Sequence, residues 1–244
     1  TVQIVHGFTG SKEDFWDVAG LLGQRGYRVI AHDHRGQCQS GHAHPATYTL
    51  AQLARDTLVV ADVLDADRPH LLGHSFGGLV AREAVLVDST RWSSLTMFCS
   101  GPAAIGPFAA DLTRIIDILS HTTMPAAWDW FLMHADEPVP ITADPNPQSV
   151  YTRRWLRSDP ASVIAQATIL LETGDRTEEL ARSGVRAQVV FGELDDAWPI
   201  DEQVAMATTL GVVPTVLPGL GHCANEEDPQ AVADALALLW LPRP

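Results

Sequence analysis

Of the 244 residues, 46% are hydrophobic, which is enough apolar side chain to bury one sizeable core in a single domain. Acidic residues (30) outnumber Lys and Arg (16), and the net charge of −14 excludes the basic face that nucleic acid or an anionic membrane would require. No apolar run approaches the roughly 18 residues of a membrane span, and no secretory-signal pattern is visible.

Strand-like and helix-like runs alternate along most of the chain, the signature of a parallel sheet covered on both faces. Val2-Gln3-Ile4-Val5 reads as a strand and runs into His6-Gly7-Phe8-Thr9-Gly10-Ser11. Residues 12–25 keep Phe15, Val18, Ala19 and Leu22 at helical spacing. A second strand over 28–31 leads to Asp33-His34-Arg35-Gly36-Gln37-Cys38-Gln39-Ser40, and a helix is predicted over 50–64 from Leu50, Leu53, Val60 and Leu64. His32, His34, His42 and His44 are close in sequence, but they straddle a strand end and a loop with no carboxylate or cysteine cluster to complete a ligand set, so no metal is expected.

Pro69-His70-Leu71-Leu72 reads as the next strand, Gly73-His74-Ser75-Phe76-Gly77-Gly78 as a tight turn, and residues 79–88 as a helix. Glycines flanking a serine at two-residue spacing allow the backbone to reverse sharply and hold the hydroxyl above the sheet edge, which makes Ser75 a candidate nucleophile. Glycines around a serine equally describe an ordinary strand-to-helix turn, so the reading depends on a base and an orienting acid further on. Strands are predicted over 95–99, 187–191 and 214–217, and helices over 201–210 and 229–239. After 187–191 comes Gly192-Glu193-Leu194-Asp195-Asp196-Ala197-Trp198-Pro199, which offers Asp195 or Asp196 as the acid. After 214–217 comes Pro218-Gly219-Leu220-Gly221-His222, which offers His222 as the base.

The chain order Ser, Asp, His is the order found in α/β-hydrolases. With the elbow at 73–78, the loop at 6–11 and the Asp33 to Ser40 segment, the chain resembles a capped, single-domain α/β-hydrolase of the serine esterase or lactonase type nearly from end to end. Cys38 stands where that family usually has a glycine. In the family's acid motif the aspartate lies three residues after the glycine and four before a proline, which points to Asp195, with Asp196 a neighbour. The resemblance implies an acyl-enzyme on Ser75, His222 as base, and an oxyanion hole made by the backbone N–H groups of Phe8 and Phe76. It also implies no cofactor, and a monomer or homodimer acting on a small-molecule ester or lactone. Family members usually carry two further strands before the one that opens this chain. Serine at the elbow sets aside haloalkane dehalogenases and epoxide hydrolases, which have aspartate there.

The resemblance places a helical cap in the long stretch that breaks the alternation, at about 102–165, punctuated by Pro102, Pro107, Pro125, Pro138, Pro140, Pro145, Pro147 and Pro160. Its large side chains, among them Trp128, Trp130, Phe131 and Trp155, are expected both to pack the cap and to line a substrate pocket, which suggests an apolar acyl or ring-bearing substrate. Arg153, Arg154 and Arg157 read as an exposed basic face. Two alternatives share the triad: a lyase like that of the menaquinone pathway, in which an arginine usually follows the paired glycines where Leu79 stands here, and a ligand-sensing protein on the same fold. Cys38, Cys99 and Cys223 are odd in number and lack Cys-x-x-Cys spacing, which predicts reduced thiols and a cytoplasmic protein, with Cys99 in the core and Cys223 packed beside the base.

Overall fold

A computed structural model describes residues 1–134, 146 and 148–241. Six strands, β1 (Val2–Val5), β2 (Val29–His32), β3 (His70–His74), β4 (Ser94–Phe98), β5 (Ala187–Gly192) and β6 (Thr215–Leu217), form one sheet in the order β2-β1-β3-β4-β5-β6. Every pairing is parallel. The central strands are buried almost throughout, whereas the edge strands β2 and β6 are only partly buried. That is the expected burial for a parallel sheet covered on both faces.

The helices divide into two groups by their contacts. α1 (Trp16–Gln24), preceded by a 3-10 turn at Lys12–Phe15, packs on α11 (Pro229–Leu239), which follows the one-turn α10 (Ala224–Glu227). α2 (Leu50–Val63), α3 (Phe76–Val87), α8 (Thr177–Arg182) and α9 (Ile200–Thr209) form a continuous chain of contacts. Right-handed crossovers put the two groups on opposite faces. The chain leaves β1 toward β2 but leaves β3 toward β4, so the strand order reverses between β1 and β3. A crevice at the carboxyl ends of those strands is where a sheet of this kind binds ligands.

Between β4 and β5 lie α4 (Ala109–His121), α5 (Met124–Met133), α6 (Val150–Arg157) and α7 (Pro160–Glu172). α4 packs on α5 and α7, and α5 packs on α6. Pro125 and Pro160 fall in the first turns of α5 and α7, where no intrahelical N–H is lost, behind the capping side chains of Thr123 and Asp159. Pro138, Pro140, Pro145 and Pro147 lie outside the described residues. The expected boundary near 165 falls inside α7. Val163 belongs to the cap core, whereas Ala167 and Leu170 belong to the main core, so one unbroken helix joins the two layers. Among the described residues no helix is long and apolar enough to cross a membrane.

At the elbow Ser75 has φ 55° and ψ −123°, a conformation that costs a non-glycine residue on the order of 1–3 kcal/mol. The next turn is pressed against β1, and a Cβ on Gly77 would lie 2.2 Å from the Val5 carbonyl oxygen and 2.5 Å from that of His6. Gly77→Ala should therefore cost about 2 kcal/mol or more, because backbone must shift to admit the methyl. Gly20→Ala on α1, where a Cβ meets nothing within 4 Å, should instead stabilise by up to about 1 kcal/mol. Urea denaturation of both variants checks the contrast, and a Gly77→Ala protein as stable as the parent would show that the elbow is not tightly packed.

Candidate active site

Parallel register brings the ends of β3, β5 and β6 to one edge of the sheet, and the loops that follow them meet there. Ser75 Oγ–H donates to His222 Nε2 at 2.9 Å, and His222 Nδ1–H donates to Asp195 Oδ1, also at 2.9 Å. A carboxylate can only accept, and this fixes the imidazole tautomer. Asp195 Oδ1 also accepts the Ala197 N–H at 3.0 Å, and its Oδ2 accepts from Gln203 Nε2 at 3.1 Å. Burial works to raise the Asp195 carboxyl, but the His222 bond and charge and the amide donors outweigh it and hold the group below the ordinary carboxylate value. Asp196 is exposed and lies in the cavity wall, away from the imidazole hydrogen bond.

Sequence reasoning missed three supports. Gln203 reaches Asp195 from α9 and is fully buried. His74, next to the serine, donates from Nε2 to the His222 carbonyl at 3.0 Å, so one side chain in the elbow ties the main chain of the base to that of the serine. His6 and His34 lock the loop after β1, since the His34 N–H donates to His6 Nε2 at 3.1 Å and His34 Nε2–H donates to the His6 carbonyl at 3.0 Å. None of these pairings has a local signature: Gln203 reaches Asp195 across the loop that follows β5, and the other partners are brought together by the sheet.

Phe76 is the first residue of α3, where a helix N–H has no intrahelical acceptor, and Phe8 lies in the cavity wall. The cavity over Ser75 and His222 has a volume of about 260 Å³. Ile105, Phe108, Leu112 and Leu170 give it an apolar side, and Asp14, Arg154, Asn225 and Glu226 a polar one.

Of the two roles expected of the cap's aromatic side chains, packing is the one observed. Trp128, Trp130, Phe131 and Trp155 are absent from the cavity wall. Phe131 and Trp155 meet edge-on at 5.3 Å between ring centres, Trp128 lies 5.9 Å from Trp155, and Trp155 Nε1–H donates to the Met124 carbonyl, so these three rings form the core of the cap. Trp130 stacks on His134 at 4.1 Å. A layer of short helices has few apolar residues to bury, and its largest rings go to its own interior. Arg153 and Arg157 are exposed as expected, but Arg154 turns inward and pairs with Asp14. Cys99 is buried, whereas Cys223 is exposed in the cavity wall, and partial desolvation together with Glu226 and Asp14 pushes its thiol up to about 12. The four histidines of the early loop do not form a ligand set. Among the described residues the group at ligand spacing is Glu13, Asp33 and Cys38, and the Lys12 ammonium already holds both carboxylates at 3.0 and 2.8 Å.

The alpha/beta hydrolase family model matches residues 4–235. The chain belongs to the alpha/beta hydrolase family. Its relatives include a putative carbamate hydrolase, RutD, of Variovorax paradoxus, 39% identical over 89 residues that cover 36% of this chain and 34% of the relative. The match thus spans about a third of that relative's length. 3-oxoadipate enol-lactonase 1 of Acinetobacter baylyi is 26% identical over 91% of this chain and 81% of its own length. Among solved structures, an esterase of Thermogutta terrifontis superposes with a TM-score of 0.79 at 24% identity, covering 97% of this chain and 88% of its own. The enol-lactonase of Burkholderia xenovorans superposes at 0.77 and 19% identity, covering 98% and 90%. These likenesses establish the α/β-hydrolase fold.

Burial has a consequence for pH. It is the main cause that pushes the His6 and His74 imidazoles down to about 3, and it also holds His34 well below its ordinary value. The unfolded chain binds protons at these groups near pH 6.5 that the folded chain refuses, so their contribution is complete above 6.5 and is lost as pH falls toward 3. Asp14, raised to about 6 chiefly by burial, acts in the opposite sense but is a single group. Urea denaturation should show stability falling below pH 6.5 by about 1.4 kcal/mol per pH unit for each net proton taken up on unfolding. A flat profile down to pH 4 would mean that these imidazoles are not buried neutral.

Proposed function

We propose that this protein is a hydrolase that cleaves a small to medium carboxylic ester or lactone through an acyl-enzyme on Ser75, without a cofactor. The relay from Ser75 Oγ through His222 to Asp195, with both hydrogen bonds at 2.9 Å and opening on a cavity, is the observation that carries this reading.

His222 Nε2 takes the hydroxyl proton as Ser75 Oγ attacks the acyl carbon, and Asp195 steadies the imidazolium that results. The N–H groups of Phe76 and Phe8 would receive the oxyanion. Collapse of the tetrahedral intermediate moves the proton from His222 to the leaving oxygen and leaves the acyl group on Ser75. Water, activated by the same imidazole, then releases the acid. A cavity of about 260 Å³ suits a small acyl group, and its apolar side suits a short alkyl chain or ring. The relatives named enol-lactonase and esterase support lactone or ester as the bond cleaved. Those named putative carbamate hydrolase extend the same acyl chemistry to a carbamate. Leu79 is fully buried in the core and offers no cation for the lyase alternative. The ligand-sensing alternative calls for slow or absent turnover.

A fluorophosphonate probe should label one residue, Ser75, located by peptide mass spectrometry, and p-nitrophenyl esters from acetate to octanoate should turn over with a preference for short chains. Ser75→Ala should abolish turnover, and His222→Ala should nearly do so. Asp195→Asn should lower kcat by about 10⁴, with Asp196→Asn far milder. Label without turnover would favour the ligand-sensing or lyase alternatives, whereas absence of label, or a Ser75→Ala protein that keeps its activity, would remove the acyl-enzyme.

A further inference from the structure

The polar side of the cavity is unbalanced. Among the described residues its wall carries one guanidinium, that of Arg154, and three carboxylates, those of Asp14, Asp196 and Glu226. Arg154 comes from α6 of the cap, and Asp14 from the 3-10 turn of the core, 140 residues earlier. Arg154 Nη1 donates to Asp14 Oδ1, and its guanidinium lies over the Tyr151 ring at 4.8 Å. The two side chains are only 11% and 10% exposed, so the pair is largely desolvated. Asp14 Oδ2 accepts the Ser11 N–H at 3.0 Å, which fixes the carboxylate in place.

The place where an incoming anion would sit on the cavity's one cation is therefore taken by the chain's own carboxylate. What remains is negative. Glu226 accepts from the Tyr151 hydroxyl at 2.9 Å, a neutral partner, and Asp196 stands exposed in the wall. Burial, with a smaller contribution from the Glu226 charge, raises the Asp14 carboxyl to about 6 against the pull of Arg154. The net charge of −14 adds a repulsive field at longer range.

We propose that Asp14 is a specificity-determining residue that occupies the anion seat on Arg154, so that the site accepts acyl groups that are uncharged or cationic and rejects those bearing a free carboxylate. The selection is made by repulsion and by a pre-filled seat, the usual way a site excludes a close analogue of its substrate. The inference rests on the serine-hydrolase reading.

The test compares two isosteric esters, mono-p-nitrophenyl glutarate and its amide, p-nitrophenyl glutaramate, assayed well above pH 6 so that Asp14 is ionised. The parent protein should favour the glutaramate by about 10- to 100-fold in kcat/KM, mainly through KM. Asp14→Asn keeps the side-chain shape and an acceptor for Ser11 while freeing Arg154, and should collapse or invert that ratio. Adding Arg154→Gln to Asp14→Asn should remove the new preference for the anion, because the freed guanidinium is what would hold it. Thermal unfolding of each variant confirms that it is folded, and the comparison in the parent protein stands even where a variant is not. Equal kcat/KM for the two esters in the parent, or an unchanged ratio in a folded Asp14→Asn protein, overturns the selectivity while leaving the hydrolase reading intact. No turnover of either ester, with no fluorophosphonate label on Ser75, overturns the hydrolase reading and this inference with it.

Discussion

The contact between the elbow and β1 is the constraint from which the site follows. Gly77 lies against the carbonyls of Val5 and His6, so the helix that starts at Phe76 is held directly over the end of β1. That contact puts the loop after β1 beside the serine, and it does so at the reversal of strand order where neighbouring loops part and leave a crevice. Ser75 is held at positive φ by hydrogen bonds on both sides, its own N–H to the Phe98 carbonyl and its carbonyl to the Ser100 hydroxyl. The local cost of the turn is thus offset by the strand pairing around it, and the hydroxyl is placed before any substrate arrives.

A second close approach does for Asp195 and His222 what the first does for Ser75. Gly192, at the end of β5, would drive a Cβ to 2.3 Å from the carbonyl oxygens of Leu220 and Gly221, so the loop carrying Asp195 touches the loop carrying His222. Backbone bonds from Glu193 to Leu217 and from Leu194 to Leu220 fasten the two loops. Gln203 then fixes Asp195 from behind, and His74 fixes the main chain of His222 from the elbow. The geometry of the relay is consequently a property of the main chain. The three relay side chains are the last links, and their positions are set by groups that take no proton.

These facts explain what was legible in the sequence. Most strands and the longer helices outside the cap announce themselves by local periodicity, and their observed bounds differ from the expected ones by a few residues at most, as with α3, which begins at Phe76 in place of Leu79, whereas α8, only six residues long, is too short to show a period. The elbow was legible because glycine at fixed offsets reports a local steric need. The choice between Asp195 and Asp196 stayed open on residues alone, since adjacent side chains in a turn differ only in direction. Packing and pocket-lining roles for Trp128, Phe131 and Trp155 could not be separated in the sequence, because an apolar ring looks the same whether it faces a cavity or a neighbouring helix. Arg154 looked like surface because its partner, Asp14, is 140 positions away. Cys38 stands at φ 46°, so the turn keeps the left-handed backbone that a glycine would adopt freely, and a cysteine bears the strain.

The cap and the core meet through unlike contacts. α7 joins them by apolar burial, which holds whatever the charge of the solution or the ligand. α6 is tied by a largely buried ion pair and by the Tyr151–Glu226 bond. A buried ion pair is a poor way to gain stability, since stripping water from two charges costs several kcal/mol per ion and a well-packed apolar pair of similar size would often do as well. Its value lies in being specific. Only one register of α6 on the core brings Arg154 to Asp14, and that register also closes the polar side of the cavity. An apolar latch would tolerate a slide of the cap and would leave the cavity indifferent to charge. With the ion pair in place, the contact that positions the cap also sets the electrostatic character of the space over Ser75, so the discrimination between acyl groups proposed above would rest on the same interaction that seats the cap.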